Sequence, residues 1–221
     1  MTGLITQRLT QIKQQLPPHV RLIAVTKKVS PQKMREAYVA GIRDFGESRL
    51  SEAIPKQEQL QELPDICWHF IGHLQSNKAK KVLENFQWIH SCDSLKLAKR
   101  LNRLAGELGC KPKICLQVKI LEDPNKYGWE KEVLLADLVE LECCESLDIQ
   151  GLMTILPLGL SISESLQAFK ATCELREKIG HKNHSNLSIR ELSMGMSGDY
   201  QLAIQAGATM VRLGRIIFGE R

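Results

Sequence analysis

Eight short apolar runs, each followed by a polar or glycine-rich turn and then a helical stretch, constrain the fold of this chain more than any other feature. The runs are Val20–Val25, Ile42–Phe45, Ile66–Ile71, Trp88–His90, Lys113–Val118, Ile149–Met153, Ile189–Leu192 and Thr209–Val211. Strands that alternate with helices pair in parallel through right-handed crossovers. Eight of them predict a closed α/β structure, a (β/α)8 TIM barrel. The 221 residues suit one such domain spanning 1–221, near the lower end of the usual size. An open doubly wound sheet is the alternative, but no G-x-G-x-x-G follows the first strand.

The intervening helices carry their own signals. Leu4, Ile5, Leu9, Ile12 and Leu16 share one side of an extra N-terminal helix, and Pro17-Pro18 ends it. Ser30 is a predicted N-cap with Pro31 at the first helical position of a helix to Ala40. Further helices are expected over about 50–63, with an irregularity near Pro55, and over 77–85. Ser94 is expected to cap a long helix to Leu108, and others follow over 131–146 and 163–179. Only a short helix fits after the eighth strand.

Composition excludes several classes. A net charge of +5 suits an anionic small ligand and is too small to argue for DNA or a membrane surface. Aromatics make up 5% and do not interleave with basic residues, which argues against nucleic acid. No apolar run approaches the roughly 18 residues of a membrane span. The seven cysteines are scattered, several on apolar stretches (Cys67, Cys115, Cys143, Cys144, Cys173), and form no C-x-x-C pair. Zinc and redox readings therefore fail. Reduced thiols and the lack of a secretion leader lead us to expect a cytoplasmic protein.

The chemistry-bearing residues fall at the carboxyl ends of the expected strands, the functional face of a barrel. They are Lys27, Ser48, His73, Asp93, Lys119, Thr154, the turn Ser193–Ser197 and Arg212–Arg215. The segment Leu192–Gly219 holds the last two strands, each ending in a glycine turn. Backbone N–H groups freed there, beside hydroxyls and an arginine, make a phosphate site. Lys27 leaves a strand expected to be buried on both faces. Desolvation and nearby cations would favour its neutral amine, the form that adds to carbonyls. Lys28 reads as solvated, His69 as a satisfied core histidine, and Lys78, Lys80 and Lys81 as an exposed helix face. His181 and His184 read as a solvated loop. Arg212 cannot shed its charge, so inside the barrel mouth it needs an anion or an acceptor.

Four segments together resemble the YggS/PROSC pyridoxal phosphate homeostasis proteins. They are Ala24-Val25-Thr26-Lys27, Trp68 through Lys78, Gly151-Leu152-Met153-Thr154-Ile155, and Leu192 through Gly219. The resemblance runs in order over nearly the whole chain. It implies a fold-type III barrel like the N-terminal domain of alanine racemase, carrying pyridoxal 5′-phosphate (PLP). By the same resemblance Lys27 is the Schiff-base lysine, covalently linked to PLP. Ser193, Gly195, Ser197, Gly214 and the backbone of Arg215 surround the phosphate, and Arg212 faces the pyridine nitrogen. Ile71 and Met153 complete the expected contacts. Ser48 stands where the family commonly has an asparagine near the PLP hydroxyl, and Arg215 replaces a common Thr or Ser.

The resemblance implies a monomer that holds, buffers or delivers PLP, with PLP-dependent apo-enzymes as recipients and indirect effects on amino-acid and keto-acid balance. An amino-acid racemase is the competing reading. Racemisation needs a base on each face of Cα. Lys27 supplies one. Related racemases take the other, a tyrosine, from a second β domain, which is not expected in a chain that ends at Arg221. Tyr127, on the loop after strand five, is the remaining donor. A lysine-dependent aldolase would need a carboxylate, for which Asp93 is the candidate.

Overall fold

The computed structural model describes residues 3–123, 126–180 and 187–220. Eight parallel strands close into a barrel in chain order: β1 (Arg21–Val25), β2 (Asp44–Glu47), β3 (Cys67–Phe70), β4 (Trp88–Cys92), β5 (Lys113–Gln117), β6 (Asp148–Met153), β7 (Leu187–Ser193) and β8 (Met210–Leu213). The sheet closes where β8 pairs with β1, Ile23 opposite Arg212.

Helices lie between the strands, as the alternation dictates. They are α1 (Leu4–Gln15), α2 (Pro31–Val39), α3 (Leu50–Gln59), α4 (Ala79–Asn85), α5 (Leu95–Leu108), α6 (Lys131–Glu142), α7 (Ile162–Gly180), α8 (Tyr200–Ala206) and α9 (Arg215–Phe218). The capping signals operate as expected. The Ser30 hydroxyl accepts from Lys33 N–H and the Ser94 hydroxyl from Leu97 N–H. Pro55 sits inside α3, which ends at Gln59 rather than near Leu63. A single 3-10 turn, Ser76–Lys78, precedes α4. The extra helix α1 buries Ile5, Leu9 and Ile12, and Arg8 donates to the Ile217 carbonyl of α9. It thus packs beside the very short last helix. His181 and His184 lie outside the described residues.

Side chains alternate between two environments because successive strand residues point to opposite faces. Outward positions such as Leu22, Ala24, Ile89, Val211 and Leu213 pack under the helices. Inward positions Ile23, Trp88, Cys115, Met153 and Met210 form a separate core inside the barrel. Above and beside this apolar layer the inward positions turn polar. His69, His90, Ser193 and Arg212 are all buried there. Cys92, Cys115, Cys144 and Cys173 are buried too, and every cysteine is free. Burial pushes the Cys92 and Cys115 thiols far up, so these behave as small apolar side chains.

Candidate functional site

A cavity of about 810 Å³ opens at the carboxyl ends of the strands, within the usual range for small-ligand sites. Lys27, Ser48, Ile71, Ser197, Arg212, Gly214 and Arg215 all line it, so the closed barrel brings together residues far apart in sequence. Ile155, Pro157, Leu158 and Leu160 form an apolar wall after β6. A second cavity, about 870 Å³, shares Ser48 but contains neither Lys27 nor Arg212.

Lys27 follows β1 by two residues and is exposed at the mouth. The desolvation expected from its strand is therefore not met. Its backbone is held from below instead. Lys56 of α3 donates to the Thr26 carbonyl at 2.8 Å and to Glu47 Oε1 at 2.6 Å. The Thr26 hydroxyl donates to the same carboxylate oxygen at 2.7 Å. Glu47 and Thr26 are fully buried and Lys56 is 8% exposed. Charge neutralises charge here, and the pair clamps the turn from which Lys27 projects. Lys28 takes a positive φ and gives its N–H to Glu52.

The loops after β2 and β3 touch closely. A Cβ on Gly72 would come within 2.2 Å of the Ser48 carbonyl oxygen, so only glycine lets the two loops meet. That contact keeps Ser48 and Ile71 on one wall of the cavity.

The turns after β7 and β8 supply donors. Ser197 and Gly198, and Arg215 and Ile216 at the start of α9, have N–H groups without a protein acceptor among the described residues. Gly214 N–H points at the Ser197 hydroxyl, 3.4 Å away. Such a set of unspent backbone donors around one cavity fits a phosphate.

Two of the expected phosphate contacts and one ring contact sit elsewhere. Ser193 is fully buried and does not line the cavity. Its hydroxyl lies 2.8 Å from His90 Nδ1 and accepts from Arg212 at 2.8 Å. Gly195 has φ +90, and a Cβ there would strike the Ala203 Cβ at 2.6 Å. It shapes the turn against α8 rather than facing the cavity. Met153 points into the barrel core, whereas Ile155, past the end of β6, packs against that core from the cavity side and lines the cavity.

Arg212 finds acceptors, as a buried guanidinium must. It donates to the Ser193 carbonyl at 2.6 Å, to the Ser193 hydroxyl, and to the Thr154 carbonyl at 2.8 Å. None of these is charged. Burial pushes its pKa down to about 10, partly offset by Asp199, so it remains a cation at neutral pH. Thr154 is locked in turn, donating to the Val118 carbonyl.

The rim residues form a different group. Tyr127 stacks flat on His73, ring centres 3.6 Å apart, and His73 Nδ1 lies 3.2 Å from Asp93 Oδ2. Neither Tyr127 nor Asp93 lines the cavity. Lys119 lies near Glu130.

Sequence reasoning missed His90 and the role of Ser193. The signal was present: both occupy inward positions of apolar strands, where a polar side chain must find a partner. Asp44, Cys67 and His69 also place ligand-type atoms within 4.8 Å of one another at the opposite mouth. There Asp44 accepts from His69, and Arg21 and Lys113 add positive charge nearby. This makes the trio a hydrogen-bonded group facing cations.

Comparison with known proteins identifies the architecture. Residues 2–221 match the family model "Alanine racemase, N-terminal domain". A protein of Synechocystis named pyridoxal phosphate homeostasis protein is 56% identical over 206 residues, covering 93% of this chain and 94% of that one. The structure of PipY from Synechococcus elongatus with PLP bound superposes with a TM-score of 0.93 at 49% identity, covering 97% of this chain and all of that one. Alanine racemase of Clostridium difficile shares the fold, with a TM-score of 0.81 at 17% identity over 98% of this chain and 56% of that enzyme. The chain belongs to the pyridoxal phosphate homeostasis protein family, built on the barrel of the alanine racemase N-terminal domain.

Proposed function

We propose that this protein binds PLP in the 810 Å³ cavity and serves PLP homeostasis by holding, buffering or delivering it. The observation that carries this reading is the convergence of a lysine, a charged arginine and a set of backbone donors without protein acceptors on one cavity. Bound PLP would supply an aldehyde that an amine can capture reversibly. Lys27 is the amine on this cavity, and the Glu47–Lys56 clamp sets where it projects. The N–H groups of Ser197, Gly198, Arg215 and Ile216 would hold the phosphate. Arg212 would lie toward the ring nitrogen and keep it unprotonated, which makes the ring a weaker electron sink.

Support for a carrier over a racemase comes from the rim. No tyrosine lines the cavity among the described residues, and Tyr127 stacks on His73 outside it. A second base for the opposite face of an amino acid is thus not in place. The wide mouth admits water, which favours exchange of PLP over carbanion chemistry. We propose a cytoplasmic monomer whose recipients are PLP-dependent apo-enzymes.

The test is borohydride reduction of the PLP-loaded protein with mass mapping, run beside transfer to an apo-enzyme and an amino-acid racemisation assay. We expect the label on Lys27, measurable transfer and negligible turnover. Label on Lys119 or Lys28 would refute the Lys27 assignment. Turnover abolished by Lys27→Ala would make the protein an enzyme.

A further inference from the structure

Five polar side chains cross the inside of the barrel in one unbroken hydrogen-bonded line. Asp44 opens β2 at the amino-terminal mouth, and its Oδ1 lies 2.9 Å from His69 Nε2. His69 Nδ1 lies 2.9 Å from His90 Nε2. His90 Nδ1 lies 2.8 Å from Ser193 Oγ, which accepts from Arg212 at 2.8 Å. His69, His90 and Ser193 are fully buried, and Arg212 lines the PLP cavity at the far end.

The carboxylate end fixes the direction of every bond as far as Ser193, and the guanidinium can only donate to the oxygen it finds there. A carboxylate only accepts and a guanidinium only donates. His69 must therefore carry its proton on Nε2, leaving Nδ1 to accept. His90 then donates from Nε2, and its own Nδ1 accepts from the Ser193 hydroxyl. Ser193 is left to accept from Arg212. Burial holds both imidazoles neutral, so each has one proton to place. The other groups facing this line are Cys67 on β3, Arg21 on β1 and Lys113 on β5. The two cations disfavour a second proton on the histidines.

We propose that Asp44, His69, His90 and Ser193 are positioning residues for Arg212. They form a proton-ordered line that starts on a carboxylate at the opposite mouth and orients the guanidinium at the cofactor cavity. Removing the carboxylate frees His69 to take the Nδ1–H form. His90 must then accept on Nε2 and donate from Nδ1, and Ser193 loses its place for a proton. The tautomers are thus set by a group on the other side of the barrel. The cofactor arm of the test below rests on the PLP reading, whereas the histidine arm does not.

The histidine arm uses nitrogen NMR of histidine-labelled, cofactor-free protein. In the wild type both His69 and His90 should be neutral with the proton on Nε2. Asp44→Ala should move the His69 proton to Nδ1 and reverse His90. Asp44→Asn keeps an acceptor oxygen and should restore the wild-type pattern, which a merely structural role would not do. In the cofactor arm, the pH midpoint of the bound PLP absorbance should shift by about half a unit or more in Asp44→Ala and stay put in Asp44→Asn. A wild-type His90 protonated on Nδ1 overturns the proposal and needs no variant to observe. Unchanged tautomers in Asp44→Ala also overturn it, as does a tautomer change that leaves the PLP midpoint still. Failure to bind PLP at all would refute the functional reading, and the histidine arm would still decide the line.

Discussion

Two buried cations stand at the carboxyl-terminal mouth of the barrel, and they are satisfied in opposite ways. Lys56 meets a carboxylate, Glu47, at 2.6 Å and a backbone carbonyl at 2.8 Å. Arg212 meets two carbonyls and a hydroxyl, all neutral. Lys56 lies off the cavity and Arg212 lines it. A buried charge neutralised in place ties elements together. A buried charge given only neutral acceptors keeps its field for whatever enters the cavity. The same physics, desolvation set against partners, thus makes one cation structural and leaves the other available to a ligand.

The sharpest way to break this comparison is to remove one member of the ion pair. Lys56→Ala should cost about 3–5 kcal/mol of stability, because Glu47 is left buried and uncompensated. Glu47 Oε2 already has no partner among the described residues. Replacing both, Glu47→Leu with Lys56→Met, should recover much of the loss in denaturant unfolding. A small cost for Lys56→Ala would show that water reaches the pair.

Acid should expose the line that serves Arg212. His69 and His90 have folded pKa values below their ordinary range through burial. Below the unfolded value of about 6.5 the unfolded chain binds more protons than the folded one. Stability therefore holds above that pH and falls as pH drops through the window beneath it. Each histidine contributes at most about 1.4 kcal/mol per pH unit. His90→Gln should flatten the slope; an unchanged slope would mean that His90 already titrates in the fold.

Arg212→Met should behave unlike Lys56→Ala. No carboxylate contacts it, so its loss should cost only about 1–2 kcal/mol, from the carbonyls left without a donor. PLP affinity should fall roughly tenfold, about 1.4 kcal/mol. Equal stability losses for the two variants would erase the distinction drawn above. The smallest effect is expected at Ser197, whose hydroxyl is one contact among several backbone donors. Ser197→Ala should weaken PLP by about 1 kcal/mol or less and leave pyridoxal, which lacks the phosphate, unaffected.

The eight strands were legible because each is a local event. An apolar run buried on both faces reads the same wherever it sits, and the caps at Ser30 and Ser94 act within three residues. Boundaries moved by a residue or two at most strands, and α3 and α6 stop early. Lys27, Arg212, Ser197 and Gly214 were legible by position, since residues past the carboxyl ends of barrel strands face one mouth. Ser193 and Met153 do not line the cavity for a common reason. Both point into the barrel at the last residue of their strands, where Ser193 meets His90 and Arg212 and Met153 joins the inner core, and depth along the barrel axis is not a local property.

By itself, the sequence determined the element order, the barrel, the family and the face that carries the candidate cavity. These follow from hydrophobic patterning and from turn chemistry, which act over a few residues. Only the tertiary structure decided that Lys56 neutralises Glu47, that Tyr127 stacks on His73, and that Asp44 reaches Arg212 through two histidines and a serine. Asp44 and Arg212 are joined by strands β2, β3, β4, β7 and β8, whose register is set by closure of the whole sheet. A hydrogen bond depends on a few tenths of an ångström between groups that can lie a hundred residues apart. No local pattern encodes that distance; the closed barrel does.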